Sequence, residues 1–442
     1  MEAATDRSHL VILGGGATGM AAAYFAARRG LDVTLIESSP RLGGLLRTFP
    51  VGGTRLECFY HHFFTHDSEI HEFLSDLGLS KRIAYAPTRM GLYRGGRAHL
   101  FTTAKDLLRL PGLSLFDKLR FALTSLYLSR QRDWCRYEDV ALLGWFERWC
   151  GKAVTDMIWR PMLEIKFGNL ASRIPVAWMI GRLSQRLRSR RKGREELGYL
   201  DGSLQLLVDT LEERLIRMGV RVLKGMKVDG IESDAERVTG VIAGGARLPS
   251  TAVLSTLPLP KMAQLLGGSS REYRREIESI AYFGAICVVV VTARPLSDIY
   301  WLNIADPGFI FGGIIEQTNL LPPSHYGGLH ITYLSRYTEP GHDLMMLSDE
   351  ELVTRFLADL RRVHPSLSAS EVLHAQVFRT DTAAPVCGLG FSRTRPGMNS
   401  PIPGLFLANM THVYPDERSV NNSIRVGREA VEAVDDFFQR SR

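Results

Sequence analysis

Three glycines stand where a phosphate group could be held. Gly14, Gly16 and Gly19 follow the apolar run His9 to Leu13 and open a helix of small residues, Met20 to Arg29, which ends at Gly30. At this spacing the first glycine permits a tight turn, the second lets backbone approach a pyrophosphate, and the third lets helix and strand pack closely. Ala17 and Thr18 lie in the same turn, where the helix N-terminus would face the phosphates. A second strand, Asp32 to Ile36, leads into Glu37, whose carboxylate can accept hydrogen bonds from ribose hydroxyls and would repel a 2′-phosphate. A glycine string of this kind is common by chance and becomes specific only between a strand and a helix, which is its context here. The expectation is a βαβ dinucleotide site.

Further along, Phe59-Tyr60-His61-His62-Phe63-Phe64 sets two imidazoles side by side on a loop. Imidazole can move protons near neutral pH, so His61 and His62 are candidate catalytic groups, with one of them expected only to bond backbone. Glu316 and Tyr333 are further catalytic candidates. Together with Trp301 and Asn319 they belong to strand-like runs, where a polar side chain either orients a substrate or closes a sheet. No metal-ligand spacing, Ser-His-Asp set, P-loop or second dinucleotide fingerprint stands out. The five cysteines lack any CxxC spacing, which argues against a zinc site or a disulfide framework.

FAD and NAD share the opening fingerprint, and the residues after Glu37 separate them. Ser38 and then Pro40-Arg41-Leu42-Gly43-Gly44-Leu45 extend the pattern to a paired-glycine turn. This resembles the FAD-binding signature of the glutathione-reductase-like flavoproteins, in the branch of amine oxidases, protoporphyrinogen oxidases, phytoene desaturases and UDP-galactopyranose mutases. The resemblance is strong over about residues 10–46 and extends more weakly over the whole layout. It implies FAD contacts at Gly14, Gly16, Ala17, Thr18, Gly19, Glu37, Ser38, Arg41, Gly43, Gly44 and Leu45, and an adenine-side contact at Val228. At the C-terminal end it implies contacts at Asn409, Tyr414, Asn421 and Ser423, where a strand end meets a helix start that faces the pyrimidine end of the ring. Ala408-Asn409 stands where relatives carry Gly-Asp.

The same resemblance implies hydride transfer between flavin N5 and an organic substrate, or, as the alternative, sugar-ring mutation by reduced flavin. The loop around His62 is similar to the histidine loop of the mutases. Their two diphosphate-binding arginines, however, correspond to Ala177 and Gly313 here.

The elements that must position these residues fit an α/β fold. The expected architecture is a discontinuous Rossmann-like FAD-binding domain (residues 1–80, 195–275 and 396–442), a largely helical insertion (81–194) and an interleaved α+β substrate domain (276–395). Runs from Asp67 to Leu77, Thr102 to Arg130 and Asp349 to Val363 read as helices. Arg89 to Leu100 reads as a hairpin, and Ala252 to Thr256, Ile286 to Val291, Phe309 to Ile315 and Leu329 to Leu334 as strands. A length of 442 residues with 45% hydrophobic and 23% charged residues suits a multidomain globular chain. No apolar run of eighteen residues occurs and no secretion signal opens the chain, so a cytoplasmic protein is expected.

The net charge of +7 is uneven, with Arg182, Arg186, Arg188, Arg190, Arg191, Lys192 and Arg194 crowded together. Few aromatics accompany that cluster, which argues against nucleic acid. The apolar and basic stretch from Thr102 to Tyr127 suits either a core helix or a membrane surface. The expected partners are a small-molecule or lipid-linked substrate and a peripheral contact at the inner face of a membrane.

Overall fold

The computed structural model describes residues 8–191, 194–234, 237–267 and 270–440. The expectation for the N-terminal leader, and Lys192 of the basic cluster, lie outside them.

A five-stranded parallel sheet gathers segments from far apart in the chain. In order across the sheet these are Arg221–Lys224, Asp32–Glu37, His9–Leu13, Ala252–Ser255 and Leu405–Leu407. Parallel strands covered on both faces read as unbroken apolar runs, and Leu10 to Leu13 are fully buried accordingly. Helix Ala17–Arg28 and the C-terminal helix Val420–Arg440 cover one face together. They approach so closely that a Cβ on Gly427 would lie 2.8 Å from the Thr18 carbonyl and 3.1 Å from the Ala22 amide.

The second large sheet has seven strands, in the order Val372–Pro385, Tyr282–Thr292, His330–Thr338, Gly313–Glu316, Trp301–Ile304, Met90–Arg94 and Arg97–Leu100. All pairs are antiparallel except that Trp301–Ile304 runs parallel to Met90–Arg94. Helix Asp349–Val363 packs Leu352, Phe356 and Leu360 against this sheet and starts at a Ser348/Glu351 capping box. A smaller sheet pairs Arg194–Leu200 with Ile83–Pro87 and with Phe63–Phe64, which fixes the histidine loop from one side. Helices Leu115–Ser129, Leu142–Trp149, Arg160–Phe167 and Val176–Arg188 form a separate layer with its own apolar core.

Several expectations shift. The Thr102–Arg130 stretch breaks at Pro111-Gly112 into Ala104–Arg109 and Leu115–Ser129, each opened by its own capping box. The hairpin at residues 90–100 joins the seven-stranded sheet instead of the helical layer. Phe309–Ile315 is strand only from Gly313. The 14-residue strand Val372–Pro385 carries no clean alternation, because part of it is half-exposed on both faces.

Gly427→Ala puts a methyl group against helix backbone that has no room to move, which costs about 1–3 kcal/mol by overpacking. The expected result is a lower urea midpoint with an unchanged denaturant slope.

Candidate functional site

The dinucleotide turn is held together backbone to backbone. Gly14 N–H donates to the Ile36 carbonyl at 2.8 Å, and a Cβ on Gly19 would fall 1.9 Å from the Gly14 carbonyl oxygen. Glu37 is buried, and its carboxylate accepts from Gly15 N–H at 2.7 Å and Ser39 N–H at 2.8 Å, which ties the turn to the end of the second strand. The Ser38 hydroxyl donates to the same carboxylate at 3.3 Å. Gly43 N–H donates to the Gly15 carbonyl at 2.8 Å, and a Cβ on Gly44, whose φ is +56°, would lie 3.1 Å from Gly16 Cα. The two glycine turns therefore face each other across bare backbone. Ala17 and Thr18 begin the helix, Leu45 is half-buried beside the second turn, and Arg41 is exposed. Met226 N–H donates to the Glu37 carbonyl at 3.0 Å, which brings the strand that starts at Val228 to the Glu37 end of the site.

The C-terminal segment closes the other end. The side chain of Asn409 is used internally: its Nδ2 donates to the Leu257 carbonyl at 3.0 Å and its Oδ1 accepts from Thr411 N–H at 3.1 Å. Ser419 caps the last helix by accepting from Asn422 N–H at 3.1 Å, and Ser423 lies in the first turn with its hydroxyl on the Ser419 carbonyl. The first-turn N–H groups of Val420 and Asn421 have no acceptor among the described residues. Asn421 Oδ1 accepts from Ile70 N–H at 3.1 Å, so its side chain serves helix packing. Tyr414 is wedged edge-on between Trp134 and Phe391. The glycine floor, the clamped acid and a second helix N-terminus with free donors fit a dinucleotide that carries a ring.

The two histidines differ. His61 Nδ1 is 2.7 Å from the Phe59 carbonyl and serves the loop. His62 Nδ1 is 3.2 Å from the Tyr300 hydroxyl, and its ring is edge-on to Phe64, Tyr300 and Trp301. Burial lowers both imidazoles to about 4, with the Arg186 charge adding to the effect on His62. Both are neutral at physiological pH. The other two catalytic candidates are committed elsewhere. Tyr333 is fully buried and donates to the Glu57 carbonyl at 2.7 Å, while Glu316 accepts from Leu296 N–H, Ser297 N–H and the Ser297 hydroxyl. Asn319 anchors the same loop through the Ser297 and Ile299 carbonyls, and Trp301 packs edge-on to Tyr60.

A cleft next to the start of the last helix brings together residues that the sequence pattern does not single out. Lys166, Phe167, Trp178, Arg182, Tyr337, Glu417 and Arg418 line it. Arg182 pairs with Glu417 at 2.8 Å and lies 4.1 Å over the Trp178 ring. Burial alone would raise the Glu417 carboxyl, but Arg182, Lys166 and Arg186 pull it down to about 2. Burial, reinforced by Arg182 and Arg418, holds the Lys166 ammonium well below the usual lysine range. Lys166 and Arg418 are isolated cations in sequence, and only the fold makes them neighbours. Arg182 and Arg186 leave the basic cluster for this interior: Arg186 pairs with Glu195 at 3.5 Å and lies over Trp301.

Similarity to known proteins agrees with this geometry. The chain is 24% identical over 299 residues to coproporphyrinogen III oxidase of Bacillus subtilis, which covers 59% of this chain and 62% of that one. The chain thus spans about three fifths of the length of the curated relatives it matches first. An oxidoreductase from Methanosarcina mazei shares the fold with a TM-score of 0.75 at 19% identity, covering 96% of this chain and 100% of that one. Reduced UDP-galactopyranose mutase does so with a TM-score of 0.75 at 17% identity, covering 97% and 95%. The profile of the flavin containing amine oxidoreductases matches residues 17–435, from the first helix to the last, and the chain belongs to the flavin-containing amine oxidoreductase family.

Proposed function

We propose that the chain is an FAD-dependent oxidoreductase that transfers a hydride between flavin N5 and an apolar or lipid-linked organic substrate. The observation that carries this reading is the place of the cleft: Glu417 and Arg418 line it immediately before the helix start at Val420, the end of the cradle suited to the ring. FAD, when bound, supplies the two-electron chemistry. Gly14, Gly16, Gly19, Gly43 and Gly44 would hold the pyrophosphate against backbone, with Glu37 on the ribose and the strand start at Val228 beside the adenine. The free N–H groups of Val420 and Asn421 would stabilise negative charge at the pyrimidine end. His62, neutral and braced by Tyr300, can accept a proton beside the cleft, and the aromatic rings around it exclude water.

The domain division belongs to the same reading: a discontinuous glutathione-reductase-like FAD domain over residues 1–80, 195–275 and 396–442, an insertion over 81–194 and a substrate domain over 276–395. What supports it is that the parallel sheet draws all five strands from the first set of segments.

A reduced-flavin sugar mutase is a second reading, favoured by one observation. Ala177 and Gly313 stand where the mutases' arginines would be, yet Lys166, Arg182 and Arg418 supply cations in the cleft.

We also propose a cytoplasmic protein that touches an anionic membrane surface. No helix among the described residues is long and apolar enough to cross a membrane. Helix Leu115–Ser129, however, turns Leu115, Phe116, Leu119, Leu123, Leu126 and Tyr127 outward, with Leu115 72% and Phe116 67% exposed. Lys105, Arg109, Arg130, Arg132 and Arg148 are exposed nearby in the chain, a mix that suits an interfacial helix.

Five measurements bear on these points. The purified protein is expected to be yellow, Glu37→Gln to bind FAD about tenfold more weakly through loss of charged hydrogen bonds, and substrate added anaerobically to bleach the flavin one for one. Equal FAD affinity in the variant would remove Glu37 from the site, and turnover without net electrons would favour the mutase. Wild type is expected to pellet with phosphatidylserine vesicles and Leu119→Glu/Leu123→Glu to stay in the supernatant; equal pelleting would refute the membrane surface. Finally, His62 is held at about 4 in the fold against about 6.5 when unfolded. The unfolded chain therefore takes up the proton first as pH falls, and stability drops between pH 6.5 and 4. His62→Asn is expected to flatten that decline by about 1–3 kcal/mol at pH 4, read by urea unfolding at several pH values.

A further inference from the structure

The cleft holds more positive charge than its acids answer. Glu417 is paired with Arg182 at 2.8 Å, and Asp416 with Arg425 at 3.3 Å. Lys166 has neither a carboxylate at ion-pair distance nor a hydrogen-bond acceptor among the described residues. Its ammonium lies 5.1 Å from the Trp178 ring, 5.2 Å from Tyr337 and 5.7 Å from Phe167, and the carboxylate whose charge it feels, Glu417, is already paired with Arg182. Arg418 is likewise without an acid: its terminal nitrogens donate to the Ala383 carbonyl at 3.0 Å and the Tyr337 hydroxyl at 3.1 Å. Arg182 keeps its Nε buried and unpartnered. All three side chains are half-buried, and a cation drawn partly out of water loses solvation that aromatic faces recover only in part.

The cations are also arranged for access. Lys166 and Tyr337 line both the inner cleft and an adjoining, more open pocket formed with Asn169, Arg336, Glu339 and His342. The Arg418 guanidinium is fixed in direction by two acceptors, and the Tyr337 hydroxyl, already accepting from it, has its own hydrogen free to donate. Phe167, Phe283 and Pro385 supply apolar walls beside this polar end.

We propose that Lys166, Arg182 and Arg418, with the Tyr337 hydroxyl, form a subsite for an anionic group of the substrate, a carboxylate or a phosphate. The missing counter-charge of the cleft is then the ligand's own. This subsite rests on the flavoenzyme reading, because it orients the substrate of that same site. It also adds to it: the organic part lies on the apolar walls and the anion fixes which carbon meets the ring.

The test titrates holoprotein with propionate and, separately, with inorganic phosphate at constant ionic strength. Binding is followed by the flavin difference spectrum and by calorimetry. At least one probe is expected to bind saturably, about tenfold or more weakly in Lys166→Gln and in Arg418→Gln, with recovery in Lys166→Arg and with flavin content and midpoint potential unchanged. Saturation by propionate alone assigns a carboxylate, and saturation by phosphate alone a phosphate. Absence of saturable binding to a yellow, folded holoprotein overturns the subsite and leaves the flavoenzyme reading standing. A shifted midpoint potential in Lys166→Gln with unchanged anion affinity also overturns it and assigns the cations to the cofactor. A colourless protein would instead be a failure of the cofactor reading, and calorimetry on the apoprotein would still decide the subsite.

Discussion

Everything in this molecule depends on how closely backbone can approach backbone at the opening turn. Gly19 sits where any side chain would collide with the Gly14 carbonyl, and Gly44 faces Gly16 with only Cα atoms between the turns. That proximity is required twice. It lets the first helix lie directly on its strand, and it leaves a floor of bare backbone instead of side chains. Glu37 adds a charged clamp, holding Gly15 and Ser39 with one carboxylate. The C-terminal helix extends the same logic, since Gly427 lets it lie on Thr18 and Ala22 and so carries the helix start at Val420 to the far end of the cradle. A small-residue seam at one end of the chain thus places a helix N-terminus from the other.

The opening turn was legible in the sequence because it is local. Strand, glycines, helix and acid occur within about thirty residues, and each has a steric or electrostatic reason that does not depend on the rest of the fold. The strand from Ala252 is legible for a related reason: a parallel sheet covered on both faces demands unbroken apolar runs.

The cleft was not legible, and the reason is topological. Lys166 lies on one short helix, Arg182 on another, Tyr337 on a central strand of the larger sheet and Arg418 on the loop before the last helix. No short window of sequence contains two of them, and Arg182 sits in the basic cluster, which reads as a solvated face. A solvated face is the ordinary outcome for Arg188 and Arg190. Arg182 and Arg186 depart from it because aromatic rings, Trp178 and Trp301, give their guanidinium planes a surface to lie on and Glu417 and Glu195 give them charge. Conversely, Glu316 and Tyr333 look functional by residue type and strand position. Their polar atoms bond a loop and a carbonyl in the interior, as buried polar groups do.

The contrast between the outer helix and the inner cleft constrains what can enter. Leu115 to Ser129 shows apolar side chains to the outside, while the cleft behind the helical layer is rich in cations and aromatic rings. A wholly apolar substrate would leave Lys166 and Arg418 unanswered, and a small anion without an apolar body would leave Phe167, Phe283 and Pro385 with nothing to cover. An amphipathic molecule satisfies both sets at once. The helical layer carries both features, the exposed apolar face on one helix and Lys166 and Arg182 on two others packed within its core. That shared layer makes the exposed apolar face and the cationic cleft parts of one structural unit, so under the proposed membrane contact and anion subsite a molecule taken up at the outer face would meet its cationic anchor within the same layer of helices.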